Sequence, residues 1–394
     1  MSINELNLSV NDTTRPSLSI YVHIPFCNSK CGYCSFVSKV GTDDDKKRYF
    51  NALINEIKMQ SKKHAKNYVV SSIYIGGGTP SCLDHYFIRD ILSCIYKNFA
   101  VRNCAEISIE INPNAIDRNK VREYVLSGVN RFSIGLQSTS PKVLKMMGRT
   151  HTVSQFEEAV KMIREQGIQN INADMILGYP NQKLSNIKET VRYLVEMKIP
   201  HISAYMLQVE DGTNLKRLVD GGSVNIASED LTVDMYDQVY STLTKCGYKR
   251  YEVSNFALPF YESYHNKIYW TRKDYLGIGL AAHSYIAGAR FSNTENFAKY
   301  YEMVEEKQIL PIDVLKNLTK EEMKEEMVML SLRTGDGLDL EAYKKEFGEN
   351  LLSKHKDKIV AYIKNGFMTL TKDNRLKCTS KGFMVLNELI AQLI

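Results

Sequence analysis

Three cysteines stand within eight residues near the N-terminus: Cys27, Cys31 and Cys34, spaced C-x3-C-x2-C in the run YVHIPFCNSKCGYCSF (21–36). Thiolates held this closely on one loop can wrap the corners of a cubane iron–sulfur cluster. Three ligands for four irons leave one iron open to bind and activate a second molecule. A structural zinc site asks for four ligands. The nearest candidates for a fourth, His23 and His64, stand at no zinc-ribbon spacing, so zinc is the second reading of this loop. The other five cysteines, Cys82, Cys94, Cys104, Cys246 and Cys378, are scattered and read mostly as small buried hydrophobes.

The cysteine loop needs a frame. From 17 to 257, short β-like runs alternate with amphipathic helical segments. The runs are 17–24, 71–75, 106–111, 131–136, 171–177, 201–207 and 251–256, rich in Ile, Val, Tyr and Ser. Helical periodicity covers 44–64, 154–166, 184–197 and 229–246, with Asp43 and Ser228 as N-caps and Gly167 and Gly247 as C-terminal stops. Strand, helix, strand, repeated, predicts an α/β fold with a parallel sheet, closed into part of a barrel of six β/α units. Each strand delivers polar groups at its C-terminal end: the cysteine loop, then Gly76-Gly77-Gly78-Thr79-Pro80, Glu110, Gln137, Asp174, and Gln208 with Glu210. That is where β/α barrels place their chemistry. After about residue 290 the pattern changes to charged helices at 320–332 and 356–364, a hairpin around Lys372-Asp373-Asn374, and a closing amphipathic helix at 380–394. This reads as a smaller, mainly helical, winged-helix-like domain, serving as a cap or dimerisation surface, which leaves a homodimer open. The expected plan is a short polar segment at 1–16, a barrel with its extension at 17–295, and a C-terminal domain at 296–394.

Composition bounds the class. The chain has 394 residues, 44% apolar and 10% aromatic, ample for a packed core. A net charge of +6 over that length does not call for nucleic acid or anionic lipid as a partner. No stretch approaches the roughly 20 apolar residues of a membrane span. The opening residues are polar, without the apolar core of a secretory signal, so the expected compartment is the cytoplasm. Thiols stay reduced there, and a tight cysteine group reads as a metal site rather than a disulfide framework.

The cysteine spacing after a strand, with Tyr33 directly before the motif's third cysteine, resembles the radical S-adenosylmethionine (SAM) enzymes. That resemblance implies a [4Fe-4S] cluster on Cys27, Cys31 and Cys34, with SAM chelating the open iron. Cleavage of SAM's sulfonium by a cluster electron would then give a 5′-deoxyadenosyl radical. The blocks YVHIPFC (21–27), GGGTPS (76–81), SIEINP (108–113), SIGLQS (133–138), GRTH (148–151) and DMILGYP (174–180) resemble, in order, the oxygen-independent coproporphyrinogen III oxidase family. Position by position this implies SAM contacts at Tyr21, Tyr33, Gly77, Gly78, Thr79, Glu110, Gln137, Arg149 and Asp174. Without the family, the glycines are a tight turn, Glu110 and Asp174 ion-pair partners in a barrel, and Arg149 a helix-surface charge.

Two features depart from the oxidases of that family. Phe36 stands where they carry a further cysteine, and only about sixteen residues precede the first strand where they have a longer segment. A third feature, HNKIYW (265–270), with the chain's only tryptophan, resembles the heme-chaperone branch of the family. This implies bound heme as cargo, heme-accepting proteins such as respiratory enzymes as partners, and an electron donor to the cluster. His265 becomes the candidate heme ligand, with Tyr269 and Trp270 packing on the porphyrin. Read from residues alone, the block is a satisfied buried histidine beside a core tryptophan. His23, His151 and His283 read as structural. The alternatives are coproporphyrinogen III decarboxylation in porphyrin biosynthesis, which would make the chain an enzyme, and a radical SAM tailoring reaction on another substrate.

Overall fold

In the first strand, Leu18, Ile20, Val22 and Ile24 are fully buried, while Ser19, Tyr21 and His23 alternate with them on the opposite face. The pleat sends these two sets to opposite sides of the sheet. One set meets helices, and the other lines a lumen. This rule repeats across the computed structural model, which describes residues 9–10 and 14–394. Six strands run parallel in chain order: β1 (Ser17–Ile24), β2 (Val69–Gly77), β3 (Val101–Ile111), β4 (Arg131–Gln137), β5 (Ile171–Leu177) and β6 (His201–Met206). Their register brings lumen residues side by side. Tyr21 lies beside Tyr74, Tyr74 beside Ser108, Glu110 beside Ser133, and Asp174 beside Ser203.

Helix Asp43–His64 covers the outer face with Tyr49, Leu53 and Ile57, joining the main core. Its N-cap is Thr42 rather than the expected Asp43. The Thr42 hydroxyl accepts from the Asp45 N–H at 3.1 Å and the Asp45 carboxylate accepts from the Thr42 N–H at 3.0 Å, so the three aspartates fill the first turn. Ser228 caps its helix as expected. Gly167 and Gly247 follow theirs at φ of +82° and +87°.

The run 251–256, expected as a further parallel strand, pairs only at its end. β7 (Asn255–Ala257) is antiparallel to β6. Before it, the Tyr251 hydroxyl lies 2.8 Å from His201 Nε2, and the Glu252 carboxylate accepts from the Ser254 N–H, which turns the chain out of the sheet. The seventh parallel strand is instead β8 (Tyr275–Ile278), which flanks β1. Beyond it the sheet continues antiparallel through β9 (His283–Ile286), β10 (Ala289–Asn293) and β11 (Ile312–Asn317). The ends do not meet, so the barrel is partial. Most of the polar segment expected at 1–16 lies outside the described residues, but Ser9–Val10 pairs with Val101–Arg102 at the edge of β3.

A second apolar core runs from Val328 to Leu393 and includes Leu338, Tyr343, Leu376 and Phe383. It is built from helices and a three-stranded sheet whose hairpin joins Met368–Leu370 to Arg375–Cys378. The closing helix is two short ones, Ser380–Met384 and Leu386–Ala391, broken at Val385. Of the scattered cysteines, Cys94 and Cys378 are buried as expected and Cys82 is half-buried. Cys104 and Cys246 are exposed, the first on a solvent-facing stretch of β3 and the second at a helix end.

One buried acid ties barrel to extension. Glu56, fully buried, accepts from the Gly279 N–H at 2.9 Å, Asn293 Nδ2 at 2.7 Å and the Tyr300 hydroxyl at 2.6 Å. Burial pushes its carboxyl from the ordinary 4.5 up to about 7, although those donors pull the other way. Glu252 is likewise raised to about 7 by burial. The folded chain therefore keeps protons that the unfolded chain has released, and stability falls as pH rises from about 4.5 to about 7, by at most about 1.4 kcal/mol per pH unit for each group. Urea unfolding across that window should show the decline, and Glu56→Gln should make it shallower by the share of one group.

Candidate functional site

The cysteine loop is stitched shut at its base. The Cys27 N–H donates to the Lys39 carbonyl at 3.1 Å, and the Lys39 N–H donates to the Pro25 carbonyl at 2.9 Å. His23 stands beneath, with Nδ1 2.9 Å from the Tyr21 hydroxyl and Nε2 2.9 Å from the Val37 carbonyl, so it props the returning arm of the loop. Burial lowers its pKa, which keeps it neutral in that role. The three cluster cysteines are half-buried. The Thr79 hydroxyl lies 3.6 Å from Cys27 Sγ, and Arg149 Nη1 lies 3.7 Å from Cys31 Sγ. Phe36 is 64% exposed on the outside of the loop.

The glycine run follows β2 and lies against the end of β1. The Gly78 N–H donates to the Ile24 carbonyl at 2.8 Å and the Thr79 N–H to the Phe26 carbonyl at 2.7 Å. A Cβ on Gly78 would stand 2.5 Å from the Phe26 carbonyl oxygen. Gly77 has φ +109°, and a Cβ there would meet the His23 ring at 2.5 Å. The glycines thus serve first to seat the cysteine loop.

Inside the lumen, the carboxyl of Glu110 accepts from the Tyr74 hydroxyl at 2.8 Å and the Gly77 N–H at 3.1 Å. Asp174 accepts from Asn172 Nδ2 at 2.8 Å and the Ser133 hydroxyl at 3.3 Å. Both acids lie deep in the molecule but keep part of their surface open to the lumen, as do Tyr21 and Tyr74. Burial raises Glu110 to about 7, with the nearby Asp174 adding to the shift. Burial also raises Asp174, against the donors around it and Arg149. Across the lumen, Arg149 Nη2 donates to the Gly135 carbonyl at 2.7 Å. Burial works against its guanidinium, yet Tyr33 and Cys31 raise its pKa above the ordinary value. Gln137 sits at a register shift in β4 with φ +67°, a left-handed conformation that a glutamine rarely adopts. Its side-chain Oε1 and the Arg149 Nε are buried without a hydrogen-bond partner.

These observations test the fit of the implied groups. Two acids under desolvation strain suit a ligand carrying positive charge, and a guanidinium with a spare N–H suits a carboxylate. Methionyl sulfonium, ammonium and carboxylate together are that combination. Among the described residues no three His, Cys, Asp or Glu side chains gather around one ion-sized point. A cubane meets its thiolates at separate corners and needs no such convergence.

The structure thus brings Tyr21, Cys27, Cys31, Tyr33, Cys34, Gly77, Gly78, Thr79, Glu110, Gln137, Arg149 and Asp174 to the C-terminal ends of the strands, on one side of the barrel. His265 is not among them. It belongs to helix Tyr264–Trp270, which caps the opposite end, where the Glu106 carboxylate accepts from the Tyr264 and His265 N–H groups at 3.0 Å. Its ring is 1% exposed, with Nδ1 2.9 Å from the Ser72 hydroxyl and Nε2 2.9 Å from the Tyr269 hydroxyl. Burial lowers its pKa to about 3. The expectation of an axial ligand there needs revision, because neither nitrogen has a lone pair or proton to spare. His151, bonded to the Leu136 carbonyl, is a packed group, and His283 is exposed on β9. Sequence reading missed Tyr74 and Tyr205. Tyr205 is 42% exposed as a residue, but its hydroxyl is buried, and that burial and then Asp174 raise its pKa. The signal was the period-two register, which puts Tyr205 on the same face as Ser203.

Comparison with known proteins agrees with this geometry. Residues 21–194 match the radical SAM superfamily, and residues 318–385 match the HemN C-terminal domain. The coproporphyrinogen III oxidase HemN of Escherichia coli, a radical SAM enzyme, superposes with a TM-score of 0.83 at 23% identity, over 99% of this chain and 92% of that one, which shows a shared fold. The heme chaperone HemW of Lactococcus lactis subsp. lactis is 34% identical over 95% of this chain and 97% of its own length. HemW of Escherichia coli is 36% identical over 68% of this chain and 70% of its own. Fold and site therefore define a radical SAM protein with a HemN-type C-terminal domain. Within that class, the chain belongs to the HemW family of heme chaperones.

Gly78→Ala tests the seat of the cysteine loop. Its Cβ cannot be housed without moving backbone, so urea unfolding should show a loss of roughly 1–3 kcal/mol, and iron retained after anaerobic cluster reconstitution should fall.

Proposed function

We propose that this chain is a cytoplasmic iron–sulfur, SAM-binding heme chaperone that binds heme and passes it to heme-accepting proteins, respiratory enzymes among them. The observation that carries the reading is likeness to heme chaperones along nearly the whole chain, against likeness to the oxidase at the level of fold. Cys27, Cys31 and Cys34 would hold a [4Fe-4S] cluster, which supplies one-electron chemistry to a bound SAM. Arg149, which has an unpartnered N–H, would take the SAM carboxylate. Glu110 and Asp174 would accept from the ammonium and ribose hydroxyls, and Gln137 offers a free carbonyl oxygen to another donor. Tyr21 and Tyr74, stacked at 6.2 Å, wall the lumen. Gly77, Gly78 and Thr79 hold the edge of the site by lacing it to the cysteine loop. Phe36, exposed on that loop, leaves the chain without the extra cysteine that the oxidase reading calls for.

Anaerobic reconstitution followed by two assays on one preparation decides between chaperone and oxidase. Hemin titrated into the protein should give a saturable Soret band at one equivalent, and coproporphyrinogen III with SAM and a reductant should stay unconverted. Efficient formation of protoporphyrinogen would overturn the chaperone reading.

A further inference from the structure

A run of polar side chains leads from the base of the barrel to Asp174. It takes in Tyr251, His201 and Asn172, of which only the last touches the site described above. His201 opens β6 and Asn172 lies beside it on β5, both buried. The Tyr251 hydroxyl is 2.8 Å from His201 Nε2, His201 Nδ1 is 2.6 Å from Asn172 Oδ1, and Asn172 Nδ2 is 2.8 Å from Asp174 Oδ1. Tyr251 is itself held from two sides. Its N–H donates to the Asn255 carbonyl at 3.1 Å, and its carbonyl accepts from the Gly335 N–H of the C-terminal unit at 2.9 Å.

The order of donors along this run follows from its two ends. An ionised Asp174 only accepts, so the Asn172 amide meets it with an N–H. Asn172 Oδ1 then faces His201 and takes the Nδ1 proton. Burial, and then Arg131 on β4, hold His201 well below its ordinary pKa, so the ring is neutral and has one N–H to place. With that N–H spent on Asn172, Nε2 is left to accept from Tyr251. The other end agrees. The Tyr251 oxygen also faces the Ser263 N–H, which leaves its own O–H to donate to the ring. The Ser133 and Ser203 hydroxyls, 2.7 Å and 3.0 Å from the same amide, can each give or take a proton and so leave its orientation open. With Asp174 protonated, the amide could turn over and accept from the acid. The His201 N–H closes that option.

We propose that Tyr251 and His201 are positioning residues for Asp174: they set the tautomer of the imidazole, and through it the orientation of the Asn172 amide, so that the acid always meets an N–H where cationic SAM binds. This rests on the SAM-binding reading above. Without the lock, a turned amide gives the protonated acid a partner and takes one from the carboxylate. Breaking the relay therefore moves the ionisation of Asp174 to higher pH. Arg149, Glu110 on β3, Tyr74 on β2 and Tyr205 on β6 also face Asp174, and none of them belongs to the relay.

Equilibrium dialysis of SAM against the anaerobically reconstituted full chain, from pH 6 to pH 8, tests the relay. His201→Leu should raise the SAM Kd about tenfold at pH 6 and much less at pH 8, so that the acid limb of the binding profile moves to higher pH. Tyr251→Phe, which removes one hydroxyl and keeps the ring, should move it in the same direction by less. In an Asp174→Asn background, His201→Leu should add no further loss. Circular dichroism and thermal melting establish that the variants are folded. A folded His201→Leu variant with the wild-type profile, with an equal loss at every pH, or with a loss undiminished beside Asp174→Asn would overturn the relay and leave the SAM-binding reading standing. Absence of SAM binding by the wild-type chain would remove both.

Discussion

The carboxyl of Glu110 is the contact on which the site depends. One oxygen takes the Tyr74 hydroxyl and the other takes the Gly77 N–H. The first bond fixes the wall of the lumen. The second fixes the glycine run, which in turn is laced to the base of the cysteine loop through Gly78 and Thr79. A single side chain on β3 thereby sets the distance between the thiols and the acids. It does so at the cost of being held in a poorly solvated place, which is why its proton leaves only near pH 7. A positive charge beside such a group would favour its ionised form.

Much of this was legible in the sequence, because a parallel barrel writes itself with two periods. Short runs of strand composition between segments of helical periodicity marked β1 to β6, and polar residues at the strand ends marked the mouth. Contacts that depend on register rather than composition were not legible. Nothing local to Tyr74 says that it lies beside Tyr21 on one side and Ser108 on the other. The run 251–256 has strand composition throughout, yet hydrogen bonds at Tyr251 and Glu252 pull it away from the sheet. The place of a parallel neighbour to β1 went instead to Tyr275–Ile278, only four residues long and closed by Gly279 at φ +102°.

His265 shows the limit of reading chemistry from residue type. A histidine in a distinctive block has the donor atom of a heme ligand, but availability is a property of the fold. Here both ring nitrogens are committed and the ring is sealed in the floor. The block as a whole still matters. Its helix closes the floor of the lumen, and its final residue, Trp270, faces a cleft between the barrel and the C-terminal unit. The motif thus builds a wall with one side chain turned inward and another outward.

That wall also joins what it divides. The Tyr74 ring bonds Glu110 through its hydroxyl and lies 5.2 Å from the His265 ring, which touches Tyr269, whose ring in turn stands 4.7 Å from Tyr275 beneath the floor. The lumen is therefore joined to the far side of the floor through one packed polar column. Equilibrium linkage across such a column runs both ways. A shift of the floor side chains that changed the energy of the Tyr74–Glu110 bond would be met, in equal measure, by the response of the floor to any change that begins at Glu110.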